Sequence, residues 1–209
     1  MLSERSIVEP RKVGAGTVVR WSGLTGADLN HAIKGVVRGG TKHPHMTLFH
    51  LLTGLANGQR SLAECRKHIE RLPSFAAREE FARGLKNFLA YIGFEPRERT
   101  RIPASNRYVG PEGVLAISTK AHFTFEQGGC RHWGLIWNNK SPRLTAESAR
   151  LGCALIRQGV EANDNDLFEM IDVRNGQVFS ATADEIDDQY PIIANSIAKL
   201  EKEYRRLVA

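Results

Sequence analysis

The sequence predicts an α/β or α+β fold, in which a central mixed sheet is flanked by helices and preceded by a mostly helical part. Two observations lead to this prediction. The run WGLIW at 133–137 is short, apolar and rich in aromatic and β-branched residues, as in a buried strand, and an amphipathic helix follows it. Helical patterns dominate residues 1–95, whereas strand-like runs and turns are frequent in residues 97–209. We therefore predict a helical N-terminal region over 1–95 and a sheet-plus-helix core domain over 97–209.

The first 45 residues are the least regular part of the sequence. The β-branched run at 18–21 predicts a strand. A short helical face is predicted next, formed by Leu29, Ala32, Ile33, Val36 and Val37. The segment KGVVRGGTK at 34–42 is basic and glycine-rich, so it predicts a flexible loop. It is not a phosphate-binding P-loop, because the glycine spacing and the terminal Lys-Ser/Thr pair are absent.

Three further helices are predicted before residue 95. Residues 47–55 form an apolar helical run. Ser61 and Glu64 fit a capping box, which indicates that the second helix begins there. Ser74 can cap the third helix, and Gly93 is a suitable residue to end it. The apolar stripe of this third helix is formed by Phe81, Leu85, Phe88 and Ile92.

Turn signals separate the strands of the predicted sheet. Strand-like runs cover 114–119 and 122–126, and Gln127-Gly128-Gly129 predicts a hairpin that leads into the central strand. A later strand at 167–173 is followed by Asn175-Gly176, which is typical of a type I′ turn, and Val178-Phe179 would pair back on it.

Two amphipathic helices complete the predicted core. Thr145 is a suitable N-cap for the first, after a turn at Ser141-Pro142, and we expect Leu151 and Leu155 to face the sheet. Pro191 suits the first position of the last helix. The apolar stripe of that helix is formed by Ile193, Ile197, Leu200, Tyr204 and Leu207.

Composition favours a reducing, cytoplasmic location. No apolar run approaches the roughly 18 residues of a membrane span. The first twelve residues, MLSERSIVEPRK, contain no apolar segment of the kind found in signal peptides. The three cysteines, Cys65, Cys130 and Cys153, are widely spaced and form no CxxC pair, which argues against a disulfide framework or a zinc knuckle.

Charge is unevenly distributed along the chain. Residues 1–160 carry 24 Lys and Arg against 12 Asp and Glu, a net of +12, whereas residues 161–188 carry nine acids and one Arg, a net of −8. An excess of positive charge over residues 1–160 indicates that the partner is a polyanion such as nucleic acid. The alternative is that these cations simply lie on ordinary solvent-exposed surfaces. The candidate nucleic-acid-binding residues are Lys34, Arg38 and Lys42 in the glycine-rich segment and Arg78, Arg83 and Lys86 in the third helix.

The order of elements from about Phe81 to Phe179 resembles a known family. It reads as a helix, two or three strands, a helix and a strand, and this αβββαβ order resembles the core of the PD-(D/E)XK nuclease-like superfamily, which includes restriction enzymes and RecB-type exonucleases. In that family an acidic residue on one strand precedes a D/E-x-K motif on the next. The resemblance implies Mg²⁺ held by the carboxylates and phosphodiester cleavage assisted by the lysine.

Four residues carry the resemblance to a catalytic site. Glu126 would match the first acid, Lys140 the lysine, and Glu147 a polar residue on the following helix. Asn138 stands where the family has Asp or Glu, two residues before Lys140. The metal ligands would then be Glu126 and Asn138. Because a neutral amide binds Mg²⁺ weakly, the resemblance implies a DNA-associated protein whose metal site is incomplete, and no other cofactor is predicted.

Two other functions stay open at this point. The first alternative is a non-enzymatic interaction module, for instance of a phage-derived or defence system, whose basic N-terminal half binds a partner protein. The second alternative is a metal-independent enzyme that acts on a small molecule. Cys130 and His132 lie on one face of the central strand and would form a thiol–imidazole pair.

Overall fold

A computed structural model describes residues 9–38, 45–93, 98–99 and 106–208 of the chain. The described residues form eight strands and seven helices. In chain order they are β1 (Arg11–Gly14), α1 (Ala15–Ser22), α2 (Gly26–Val37), α3 (His45–Ala56), α4 (Leu62–Glu70), α5 (Phe75–Ile92), β2 (Glu98–Arg99), β3 (Arg107–Val109), β4 (Leu115–Ser118), β5 (Phe123–Gln127), β6 (Cys130–Trp137), α6 (Ala146–Arg157), β7 (Leu167–Asp172), β8 (Gln177–Thr182) and α7 (Ala183–Val208).

The central sheet has the strand order β2-β5-β6-β7-β8. Strands β2, β5 and β6 are antiparallel neighbours, and β7 lies parallel to β6 after the crossover through α6. Strand β8 returns antiparallel to β7. Both predicted hairpins are present, with Gly128, Gly129 and Gly176 at positive φ in the two turns. The predicted α/β class, a mixed sheet with flanking helices, is confirmed. The strand predicted at 114–119 forms as β4, but it lies outside this sheet, so that the third antiparallel strand beside β5 and β6 is β2.

Helices cover both faces of this sheet. On one face, which we call the α6 face, helices α1, α2, α6 and α7 pack on Trp133, Leu135 and Trp137 of β6. On the other, the α5 face, helices α3, α4 and α5 pack on Phe123, Phe125 and Ile136. Because alternate residues of a strand point to opposite faces, the apolar run of β6 supplies both cores. Its one weak strand former, Gly134, is where the Phe123 ring lies against the backbone, and a Cβ there would overlap that ring.

Helix α6 forms where the sequence predicts it. Thr145 is its N-cap and makes a reciprocal capping box with Ser148. Leu151 and Leu155 are only 4% and 1% exposed and lie in the core of the α6 face, as predicted. Eight of the twelve residues of this helix are buried, which fits a helix that is covered by the sheet on one side and by α1 and α7 on the others.

A second, three-stranded sheet has the order β1-β4-β3, with β1 parallel and β3 antiparallel to β4.

The strand predicted at 18–21 is wrong, because these residues lie in α1. Val18 and Val19 are both completely buried, and Ala15, Val18 and Val19 recur at helical spacing against the core. Burial in the tertiary structure therefore outweighs the β propensity of two valines.

Two predicted boundaries also change. The start of the loop predicted at 34–42 is wrong, because Lys34 lies in the last turn of α2 and Arg38 is the C-cap of that helix. The rest of the predicted loop, from residue 39, lies outside the described ranges. Helix α7 begins at Ala183 and not at Pro191, which lies inside it. Its start is fixed by a capping box between Thr182 and Glu185, with amide-to-side-chain distances of 3.0 and 3.3 Å.

The predicted boundary near residue 96 does not separate two cores. Helices α1 and α2 lie in the same hydrophobic cluster as α6 and α7, and α3 to α5 lie in the same cluster as β5 and β6. The N-terminal helices therefore supply layers on both faces of the central sheet.

Among the described helices, none is long and apolar enough to cross a membrane.

Candidate functional site

The residues predicted to form a metal site do not meet. Glu126 pairs with Arg131 beside the β5–β6 turn, whereas Asn138 follows the far end of β6. The seven steps of extended chain from Arg131 to Asn138 span roughly 23 Å. In an antiparallel hairpin the residues that approach the end of β6 are those at the start of β5, near Phe123, and not Glu126. The prediction that Glu126 and Asn138 share a metal ion is therefore wrong.

The surroundings of the four residues agree with this conclusion. The carboxylate of Glu126 is exposed and accepts a bond of 2.9 Å from the Arg131 guanidinium. Asn138 is buried at 6% exposure, while Lys140 and Glu147 are exposed near the start of α6. Asn138, Lys140 and Glu147 lie at the same end of the sheet, but only Glu147 among them carries a carboxylate. Within the described ranges no three His, Cys, Asp or Glu side chains are grouped as metal ligands. The predicted set thus does not suit Mg²⁺, which prefers several oxygen ligands including carboxylates.

The predicted nucleic-acid-binding residues fall on two opposite layers. Lys34 and Arg38 belong to α2 on the α6 face, whereas Arg78, Arg83 and Lys86 belong to α5 on the other side of the sheet. They therefore do not form one surface. Lys42 lies outside the described residues. Arg78 is also engaged structurally, because its guanidinium donates to the Leu72 carbonyl at 2.9 Å.

Helices α4 and α5 present a positively charged outer surface, which we call the α4–α5 surface. Its exposed cations are Arg60, Arg66, Lys67, Arg71, Arg83 and Lys86. Its exposed acids are Glu64, Glu70 and Glu79, and Glu64 is occupied by the capping box with Ser61. The surface therefore carries an excess of positive charge that can attract a polyanion.

A groove of about 360 Å³ runs between these two helices. Apolar side chains line it, namely Ile69, Ala82, Leu85 and Leu89. Charged residues line it as well, namely Arg66, Glu70 and Lys86. An apolar groove bordered by two cations and one acid suits a ligand that combines an apolar group with negative charge.

A second cluster lies inside the protein, on the α5 face of the sheet. The Glu169 carboxylate, 4% exposed, accepts hydrogen bonds from the Ser180 hydroxyl at 2.9 Å and from the Tyr91 hydroxyl. It is also 2.9 Å from Nδ1 of His132. The His132 ring stacks on Phe125, with centroids 4.5 Å apart. A carboxylate thus holds the orientation of an imidazole, an arrangement that can move a proton.

The charge of Glu169 follows from its partners. Burial alone raises the pKa of this carboxyl, but the bonds from His132, Tyr91 and Ser180 together outweigh burial and lower the pKa below its ordinary value of 4.5. Glu169 is therefore ionised at neutral pH. The imidazole of His122, in contrast, is partly buried and accepts a bond from the Ile136 amide, and its removal from water lowers its pKa to about 3. His122 is a neutral structural residue.

Sequence reasoning found only part of this cluster. It placed Cys130 and His132 on one strand face, but the described partner of His132 is Glu169, a residue 37 positions later. The one signal in the sequence was an acid inside the apolar run LFEMIDV. Its partners come from α5, β6 and β8, and only the folded structure brings these elements together.

The chain was compared with family models and with curated proteins. No family model matches it, and no curated protein matches it.

Proposed function

We propose that this is a nucleic-acid-associated protein with a nuclease-like core, in which the residues at the expected metal positions do not hold a metal ion. The observation that carries the proposal is the central sheet. Its strands β2, β5 and β6 are antiparallel, β7 is parallel to β6, and α5 and α6 cover opposite faces. Counted with α5 and α6, these strands read αβββαβ, which is the order of the resemblance, with β2 in the place of the strand predicted at 114–119. Association, rather than cleavage, follows from the separation of Glu126 from Asn138.

The α4–α5 surface is the part that we assign to the polyanion. Its six exposed cations are on α4, on α5 and at the two ends of α4, and such a patch neutralises phosphates and releases counterions. The cations of α2 lie on the opposite layer and would not contact the same straight duplex. Among the predicted binding residues, we therefore expect Arg83 and Lys86 to contact the polyanion and Lys34 and Arg38 not to contact it.

Fluorescence anisotropy with labelled duplex and single-stranded oligonucleotides tests the proposal. We expect binding at about 50 mM salt that weakens by orders of magnitude at about 200 mM, because several phosphate contacts are lost together. The test variant is Arg71→Glu combined with Arg83→Glu, which removes two exposed cations of the α4–α5 surface. The matched control is Lys34→Glu with Arg38→Glu on α2. Absence of binding at low salt, or equal loss in both double variants, would contradict the proposal.

Protein binding is a second candidate function, and the α4–α5 groove is the observation that favours it. Its aliphatic lining offers no aromatic ring on which a base could stack, but it suits an apolar side chain of a protein segment. The cations beside it, Arg66 and Lys86, favour a segment that is also acidic. This candidate would account for a protein that fails to bind nucleic acid at any salt concentration.

A further inference from the structure

A second surface of the same molecule has the chemistry that the α4–α5 groove suits. In the first half of α7, Asp184, Asp188 and Ile192 are all exposed. Their spacing of four residues places them in one row along the helix. Ile192 is 69% exposed, the highest value among the large apolar residues that the structure describes as exposed. We call this row the α7 stripe.

The stripe and the groove match in length and are complementary in charge. From Asp184 to Ile192 the helix rises roughly 12 Å, and from Ala82 to Leu89 along the groove it rises roughly 10 Å. An isoleucine side chain can enter the apolar lining while the two aspartates approach Arg66 and Lys86. Glu70, the one acid in the lining, is the contact that opposes this arrangement.

The two surfaces cannot meet within one molecule. Helix α7 lies on the α6 face of the central sheet, and α4 and α5 lie on the α5 face. A contact between them therefore requires two copies of the chain. Because the surfaces differ, the contact is heterologous and leaves one groove and one stripe open at the ends, so that further copies can be added.

We infer that the α4–α5 groove binds the α7 stripe of a second copy of this chain, so that the protein self-associates head to tail. The inference rests on the groove as a protein-binding site and not on nucleic-acid binding, which is measured separately by anisotropy. A small groove with few charged contacts gives a weak interface, so assembly should depend on protein concentration and decrease with added salt.

Sedimentation velocity of the full chain over a concentration series, up to roughly 1 mM, tests the inference. The wild-type protein should show dimers and larger species that increase with concentration. Lys86→Glu alone and Asp188→Lys alone should each remain monomeric, because each brings like charges together. A mixture of the two variants should recover the wild-type assembly, since each groove then meets a stripe of opposite charge.

Two exposed positions outside the contact serve as controls. Lys140→Glu before α6 and Asp28→Lys on α2 make charge changes of the same size and should assemble as the wild type does. Circular dichroism establishes that each variant is folded. A wild-type protein that stays monomeric throughout the series overturns the inference, and so does assembly that Lys86→Glu leaves intact. Failure of the mixed variants to assemble also overturns it, because the contact would then lie elsewhere.

Discussion

Two buried glutamates of this protein are held in opposite ways. Glu201 of α7 accepts bonds of 2.8–2.9 Å from three backbone amides, those of Glu112, Val114 and Leu115, in the turn between β3 and β4. Glu169 of β7 accepts bonds from side chains on three elements, those of Tyr91, His132 and Ser180. Both carboxylates are removed from water, with exposures of 0% and 4%.

The difference separates a structural anchor from an adjustable site. Backbone amides remain in place when most side chains are replaced, and they do not titrate. Their three bonds to Glu201 therefore act as a structural anchor that fixes the path of this turn. Gly110 belongs to the same anchor, since a Cβ there would overlap the Glu201 carboxylate. The donors of Glu169 can each be replaced singly, and one of them is an imidazole. Asp166 and Asp172 combine the two arrangements, because each accepts bonds from backbone amides and one from a side chain, that of Trp133 or Asn175.

The largest effect is expected at the anchor. Glu201→Ala leaves three amides without their acceptor and should lower the free energy of unfolding by about 3–5 kcal/mol. Urea denaturation measures this change. The control is Glu203→Ala, which removes a partly exposed ion pair with Arg206 and should cost no more than about 0.5 kcal/mol. Similar losses for the two variants would mean that the anchor contributes no more than a surface pair.

A smaller effect, which depends on pH, is expected for Glu169→Gln. At neutral pH the loss should be about 2–3 kcal/mol, because an amide replaces the ionised acceptor of three donors. The folded pKa of Glu169 lies below 4.5, so the unfolded chain takes up the proton first as pH falls. The stabilisation from this carboxylate is therefore complete above about pH 4.5 and is lost as pH falls through the folded pKa.

The difference in unfolding free energy between wild type and Glu169→Gln should accordingly become smaller in acid. Denaturation at several pH values between neutral and acid tests this dependence. Glu126→Gln is the comparison variant, because Glu126 is an exposed glutamate in a single ion pair, and its effect should stay below about 1 kcal/mol. A wild-type-to-variant difference for Glu169 that is constant with pH would contradict the assignment of an ionised carboxylate.

The smallest effect is expected from removal of one donor. Ser180→Ala deletes the hydroxyl that bonds Glu169 and leaves the other two donors in place, so it should cost about 1–2 kcal/mol. Ser196→Ala is the matched control, since that hydroxyl bonds only the Ile192 carbonyl of its own helix, and it should change stability by less than about 0.5 kcal/mol. A loss at Ser180 as small as at Ser196 would show that Tyr91 and His132 suffice.

Local signals predicted much of the fold. Thr145, Ser61 and Ser74 cap the helices for which they were expected, and the two glycine turns form the hairpins. These features depend on neighbouring residues, so they can be read from the sequence. The start of α7 could also have been read, because Thr182 and Glu185 have capping-box spacing, but Pro191 is equally suited to a helix start. In the structure the earlier signal determines the start.

The candidate site was less accessible to sequence reasoning, because it depends on how distant elements meet. Glu126 was expected to lie near Asn138, and the direction of the hairpin carries it to the other end of the strand. The hydrogen bonds to Glu169 join residues up to 78 positions apart. A single sequence gives the periodicity of each strand, but it does not give the register between strands, and the register determines which side chains converge.

The position of α7 has a consequence for the order in which the protein can fold. Tyr204 lies 6.1 Å from the ring of Trp21 in α1, and Glu201 anchors a turn almost ninety residues before it in the chain. Strand β1 likewise pairs with β4, 104 positions later. During synthesis the apolar sides of α1 and α2 therefore emerge long before their covering helix exists. Contacts of such long range slow folding, and the α6 face can close only when residues 183–208 have left the ribosome.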